Sequence, residues 1–118
     1  MNTTQSAQLF EEAQKLFPGG VNSPVRAFRS VGGTPLFFKK GAGALITDED
    51  DQTFIDYCCS WGPLILGHAS PEVVSAVQNT VALGSSFGAP TRLENELANL
   101  ILNNHRYVEM IRFVSSGT

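Results

Sequence analysis

Three places in this 118-residue chain carry residue types and spacings that invite chemistry. The first is Val21 to Phe28, an irregular stretch with Ser23 and Arg26 three residues apart. It offers a hydroxyl and a permanent cation, yet on its residues alone it reads more readily as a plain surface connector. The second is the only tryptophan, Trp61, at the break where a strand gives way to Gly62-Pro63. Loops hung on rigid elements are where sites are built, while a tryptophan that simply plugs a core is the competing reading. The third is Ser116-Gly117-Thr118, directly after the apolar run Met110 to Val114. A buried strand followed by a small, glycine-containing turn is how many α/β proteins present backbone N–H groups to a phosphate.

Other chemistries are excluded by spacing. Cys58 and Cys59 are adjacent and the only cysteines, so a disulfide between them is strained and a metal-ligand pattern is absent. Gly41-Ala42-Gly43 lacks the third glycine of a dinucleotide loop and precedes a strand instead of opening a helix. Asp48 to Asp51 lacks the downstream glutamate of a calcium loop and is expected to be a solvated turn. His68, after a glycine at a helix entry, reads as a packing or capping residue, and His105 at most favours a helix macrodipole.

The elements that position these groups follow from pattern. A first helix starts at Thr3 or Thr4, carries Phe10, Ala13 and Phe17 on one stripe, and stops at Pro18-Gly19-Gly20. Pro24 pushes Ser23 toward an extended conformation. Three short strands are predicted at Leu36 to Lys40, Ala44 to Thr47 and Thr53 to Tyr57, and their short connections make an antiparallel meander. Ser70-Pro71-Glu72 opens a helix with Val73, Val77 and Val81 on one face, closed by Gly84. Thr91 and Glu94 form a capping box for another, with Leu93, Leu97, Leu100 and Ile101 inward, and a strand is expected at Met110 to Val114. That last strand has no later partner, so the chain is expected to be the N-terminal part of a larger α/β protein. Its expected organisation is a segment 1–69, with helix, loop and meander, and a segment 70–118 that begins a larger α/β domain.

The net charge is −3, the arginines are scattered, and no basic patch for nucleic acid exists. No apolar run approaches the roughly 18 residues of a membrane helix. No signal-peptide pattern leads the chain, so a reduced, cytoplasmic protein is the natural reading.

Taken together, three stretches resemble the class III, fold-type I pyridoxal-phosphate aminotransferases, and within them an aminomutase branch. They are Pro18 to Phe28, then Asp56-Tyr57 with Ser60-Trp61-Gly62-Pro63 and Gly67-His68, and finally Arg112-Phe113-Val114 with Ser116-Gly117-Thr118. The resemblance implies an isomerisation by intramolecular amino transfer on an aminoaldehyde with one carboxylate. Pyridoxal phosphate or pyridoxamine phosphate serves as electron sink. It also implies that Arg26 holds the substrate carboxylate as a planar, charged fork, that Ser23 adds a hydroxyl, and that Trp61 walls the substrate. Ser116, Gly117 and Thr118 are implied to hold the cofactor phosphate. The resemblance further implies that the lysine that binds the cofactor lies beyond Thr118, and Lys15, Lys39 and Lys40 match no family position. A homodimer at full length is implied as well. The competing expectations are another class III ω-aminotransferase and a non-catalytic truncated product.

Overall fold

The computed structural model describes residues 1–115, and Ser116, Gly117 and Thr118 lie outside them. The chain divides into two compact units, Met1–Gln78 and the part from Asn79 onward.

The first unit begins with α1, Thr4–Leu16. Ala13 is buried on its inner stripe, as the spacing of apolar residues requires. Its N-terminus is not capped by its own threonines: Thr3 occupies the cap position without a side-chain hydrogen bond. The carboxylate of Asp50 fills that role instead. Its two oxygens accept the Gln5 and Ser6 N–H groups at 3.0 and 3.2 Å, from 45 residues further on. A carboxylate there also meets the positive end of the helix dipole.

Beyond α1, Ser23 is extended, with φ −142° and ψ 127°, as a residue before proline should be. The stretch that follows is more regular than its sequence suggests. Pro24–Ala27 close a 3₁₀ turn, Pro24 sitting at its first position where a missing N–H costs nothing.

The meander is present, in the order β1-β2-β3 and antiparallel throughout. Its strands are β1, Phe38–Ala42, β2, Leu45–Asp48, and β3, Thr53–Ile55. The β1–β2 pairing carries an irregularity between Phe38 and Lys40. Ile46 stands opposite Phe54 in register, and the Phe38 and Phe54 rings meet edge to face at 6.1 Å. That geometry suits the aromatic quadrupole.

The acidic turn differs from its expected solvated character. Asp48 is fully buried, and its carboxylate accepts the Gln52 backbone and side-chain N–H groups at 2.7 and 3.0 Å. Asp51 pairs with Lys39 at 2.8 Å across the sheet edge. That bond holds the Asp51 carboxyl below, and the Lys39 ammonium above, its ordinary range. Asp48, Asp50 and Asp51 therefore each have a structural partner, and Asp50 ties α1 to the β2–β3 turn.

Helix α2, Pro71–Val81, starts at its expected proline, and α3, Arg92–Asn104, follows Thr91. Glu94 returns its carboxylate to the Thr91 N–H at 3.0 Å, as the capping-box spacing predicts. Residues Met110 to Val114 pair with no strand among the described residues, so the expected strand is not formed. A strand exists only through its ladder, and hydrophobic pattern alone does not supply one. Among the described residues only Ala13 and Ala27 are buried apolar side chains, while Val77, Val81, Leu97 and Leu100 stay largely exposed.

Candidate functional site

Arg26 and Trp61, 35 positions apart in sequence, line one cleft of about 560 Å³. Its floor is the sheet, through Phe38, Ile46, Phe54 and Ile55. The 3₁₀ turn carries Arg26 to its edge, held where the Arg26 N–H reaches the Ser23 carbonyl at 3.0 Å. No carboxylate of the described residues lies within ion-pair distance of this guanidinium. A cation without an internal partner beside an apolar cleft can take an external anion, and its planar fork suits a carboxylate. Ser23 begins the turn that carries Arg26 but does not itself line the cleft.

Trp61 closes a tight, left-handed turn, Cys59–Trp61, and lines the same cleft. Its side chain is 71% exposed among the described residues, so it plugs no core within them. The backbone beneath it is unusual. Cys59, Ser60 and Trp61 all have positive φ, 46°, 53° and 66°, and Gly62 continues at 120°. Three successive non-glycine residues in the left-handed region are strained, and they persist only where surrounding structure fixes them.

Asp56 and His68 meet at the two ends of this loop, a contact that no sequence pattern marks. His68 Nε2 and Asp56 Oδ2 are 2.7 Å apart, and the other carboxylate oxygen accepts the Cys58 and Cys59 N–H groups at 2.8 and 3.1 Å. The histidine contact first, and then the Cys58 N–H, hold the Asp56 carboxyl below the usual carboxylate range. His68 is thus structural, as expected, but through a specific partner. Its backbone also exchanges two hydrogen bonds with Gly43, at 2.9 and 2.8 Å. The only sequence signal was a polar residue on each side of a Gly-Pro break, and no periodicity links positions twelve apart.

Ser116, Gly117 and Thr118, expected at the cofactor phosphate, fall outside the described residues. Among the described residues no group of acidic, histidine and cysteine side chains is arranged to hold a metal ion. No helix is long and apolar enough to cross a membrane.

The first unit thus holds a small antiparallel meander whose cleft is lined by both Arg26 and Trp61. Residues 28–118 fit the pattern of the class III aminotransferases, and the chain belongs to that family. Its α/β fold is that of solved members. A transaminase with pyridoxal phosphate bound superposes with TM-score 0.89 and 39% identity, over 99% of this chain and 27% of that one. A glutamate-1-semialdehyde aminomutase from Pseudomonas aeruginosa PAO1 does so with TM-score 0.74 and 26% identity, over 84% of this chain and 22% of that one.

Among curated proteins the chain is similar to glutamate-1-semialdehyde 2,1-aminomutases. That of Roseiflexus castenholzii is 62% identical over 118 residues, all of this chain and 27% of that protein. That of Nitrosospira multiformis is 59% identical over 115 residues, 98% of this chain and 27% of that protein. The chain thus spans about a quarter of the length of the curated relatives it matches.

Proposed function

We propose that this chain is the first quarter of a glutamate-1-semialdehyde 2,1-aminomutase. The full-length protein would isomerise glutamate-1-semialdehyde to 5-aminolevulinate, a precursor of tetrapyrroles, by intramolecular amino transfer. The observation that carries the reading is the placement of Trp61 and of Arg26, which has no ion pair among the described residues, on one apolar cleft. The whole-chain likeness to aminomutases narrows the reaction. A structural neighbour described as an aminomutase holds pyridoxamine phosphate, and another neighbour holds pyridoxal phosphate. We assign the same cofactor here; when bound, it supplies the electron sink for moving the amino group.

The chain's own residues have separate tasks in this proposal. Arg26 takes the single substrate carboxylate and sets its orientation. Trp61 covers the apolar flank and keeps water from it. Ser23 begins the same turn outside the cleft lining, and its proposed hydroxyl contact to the carboxylate belongs to the assembled full-length site. Ser116, Gly117 and Thr118 are proposed as the phosphate turn. Residues 1–69 would form the substrate side and 70–118 the beginning of the cofactor domain. A cytoplasmic homodimer completes the proposal.

The test is the full-length protein, loaded with cofactor and given glutamate-1-semialdehyde alone. Formation of 5-aminolevulinate without an external amino donor or acceptor is expected. A strict need for an external acceptor would make it an ordinary class III ω-aminotransferase, and no turnover with any amino compound would make it non-catalytic.

A further inference from the structure

The loop from Asp56 to His68 presents Trp61 through a backbone that does not favour its own shape. Its positive-φ non-glycine residues are Cys59, Ser60 and Trp61, and their steric cost is met on the side-chain side only by the weak bond from Cys59 Sγ to the Asp56 carbonyl at 3.4 Å. Local hydrogen bonds inside the loop are short-range turns, such as Trp61 N–H to the Cys58 carbonyl at 2.9 Å. Each end is tied to the sheet by its backbone, Asp56 through its N–H to the Ala44 carbonyl at 2.8 Å, and the Asp56–His68 side-chain contact joins the two ends to each other. His68 is in turn fastened to the sheet extension by its paired bonds with Gly43. Gly67, at φ 76°, lies so close to Gly43 that a Cβ there would stand 2.7 Å from the Gly43 carbonyl oxygen. One end of the loop is therefore pinned to the sheet edge, and the other is the end of β3.

We propose that Asp56 and His68 are positioning residues whose contact closes the 56–68 loop and holds Trp61 against the Arg26 cleft. The proposal rests on the reading of Trp61 as the wall of the substrate site. Neither side chain is required to touch the substrate. Losing the contact frees the strained turn to relax, and Trp61 then leaves its place on the cleft. An apolar wall helps bind the ground state and the transition state alike, so its misplacement raises KM more than it lowers kcat.

The full-length holoenzyme is the material for the test, in wild type, His68→Leu, His68→Gln, Asp56→Asn and Trp61→Ala forms. Amide hydrogen exchange in peptides covering 56–68 reports the loop itself. His68→Leu should speed exchange there on the order of tenfold while leaving peptides of α1 unchanged. It should also raise KM for glutamate-1-semialdehyde with a smaller change in kcat. His68→Gln, whose amide can reach a carboxylate from nearly the same position as Nε2, should restore most of both. If His68→Leu does not assemble, Asp56→Asn gives the same reading, since it keeps the shape and weakens the acceptor. Exchange within twofold of wild type in His68→Leu and Asp56→Asn, with Trp61→Ala impaired, overturns the proposal alone. An unimpaired Trp61→Ala enzyme overturns the substrate-wall reading and the proposal with it.

Discussion

The imidazole of His68 lies over Gly41 of β1 so closely that a Cβ at position 41 would stand 2.6 Å from its Cγ. The ring cannot simply turn aside. Its Nε2 is engaged by Asp56, and its backbone is paired with Gly43 two residues along from Gly41. A glycine that sequence alone places in a weak nucleotide-loop pattern is there to admit a histidine. Gly41→Ala should therefore destabilise the full-length protein by about 1–3 kcal/mol, the usual cost of overpacking. Chemical denaturation of both proteins checks this, and an unchanged midpoint would show that the ring has room to move.

Capping of α1 from a distance has its own signature. Asp50→Ala removes the acceptor for the Gln5 and Ser6 N–H groups. A loss of about 0.5–2 kcal/mol is expected, as for other N-cap deletions. Thr3→Ala should do much less, because Thr3 makes no side-chain cap bond. Comparing the two by denaturation decides which residue caps the helix.

At the cleft, Arg26→Ala in the full-length enzyme should lower kcat/KM by roughly 30-fold to several thousand-fold. Arg26→Lys should recover part of that, since an ammonium keeps the charge and loses the two-pronged geometry. The spectrum of the bound cofactor should not change. Steady-state kinetics on the three proteins measure this, and an Arg26→Ala value within about twofold of wild type removes Arg26 from the substrate site.

Acid should loosen the Trp61 loop in a defined direction. The Asp56 carboxyl is held below its ordinary range by His68 and by the Cys58 N–H, so its folded form favours the ionised state. Its contribution to stability is fully present above the unfolded value, about 4, and is lost as pH falls through the lower folded value. The gap in thermal midpoint between wild type and Asp56→Asn should accordingly close as pH drops below about 4. A gap that widens as pH falls below about 4 would reverse the sign and dismiss the linkage.

Local chemistry made much of this chain legible from sequence. Pro71 after Ser70, and Thr91 three residues before Glu94, mark helix starts because caps and prolines act within one turn. Short connections between β-forming runs fix the meander, since such links allow little besides antiparallel pairing. The motifs around Arg26 and Trp61 also carried the family resemblance, and the Trp61 motif lies within residues 28–118, which match class III. Tertiary structure decided what depends on residues far apart in the chain. It gave α1 its cap from Asp50, buried Asp48 in a turn whose charge suggested water, and set His68 against Asp56 and Gly41. It also left Met110 to Val114 without a ladder among the described residues, although their composition suits a strand. Propensity reports what a segment favours by itself, whereas a hydrogen-bond partner forty residues away is fixed only once the chain has folded back on itself.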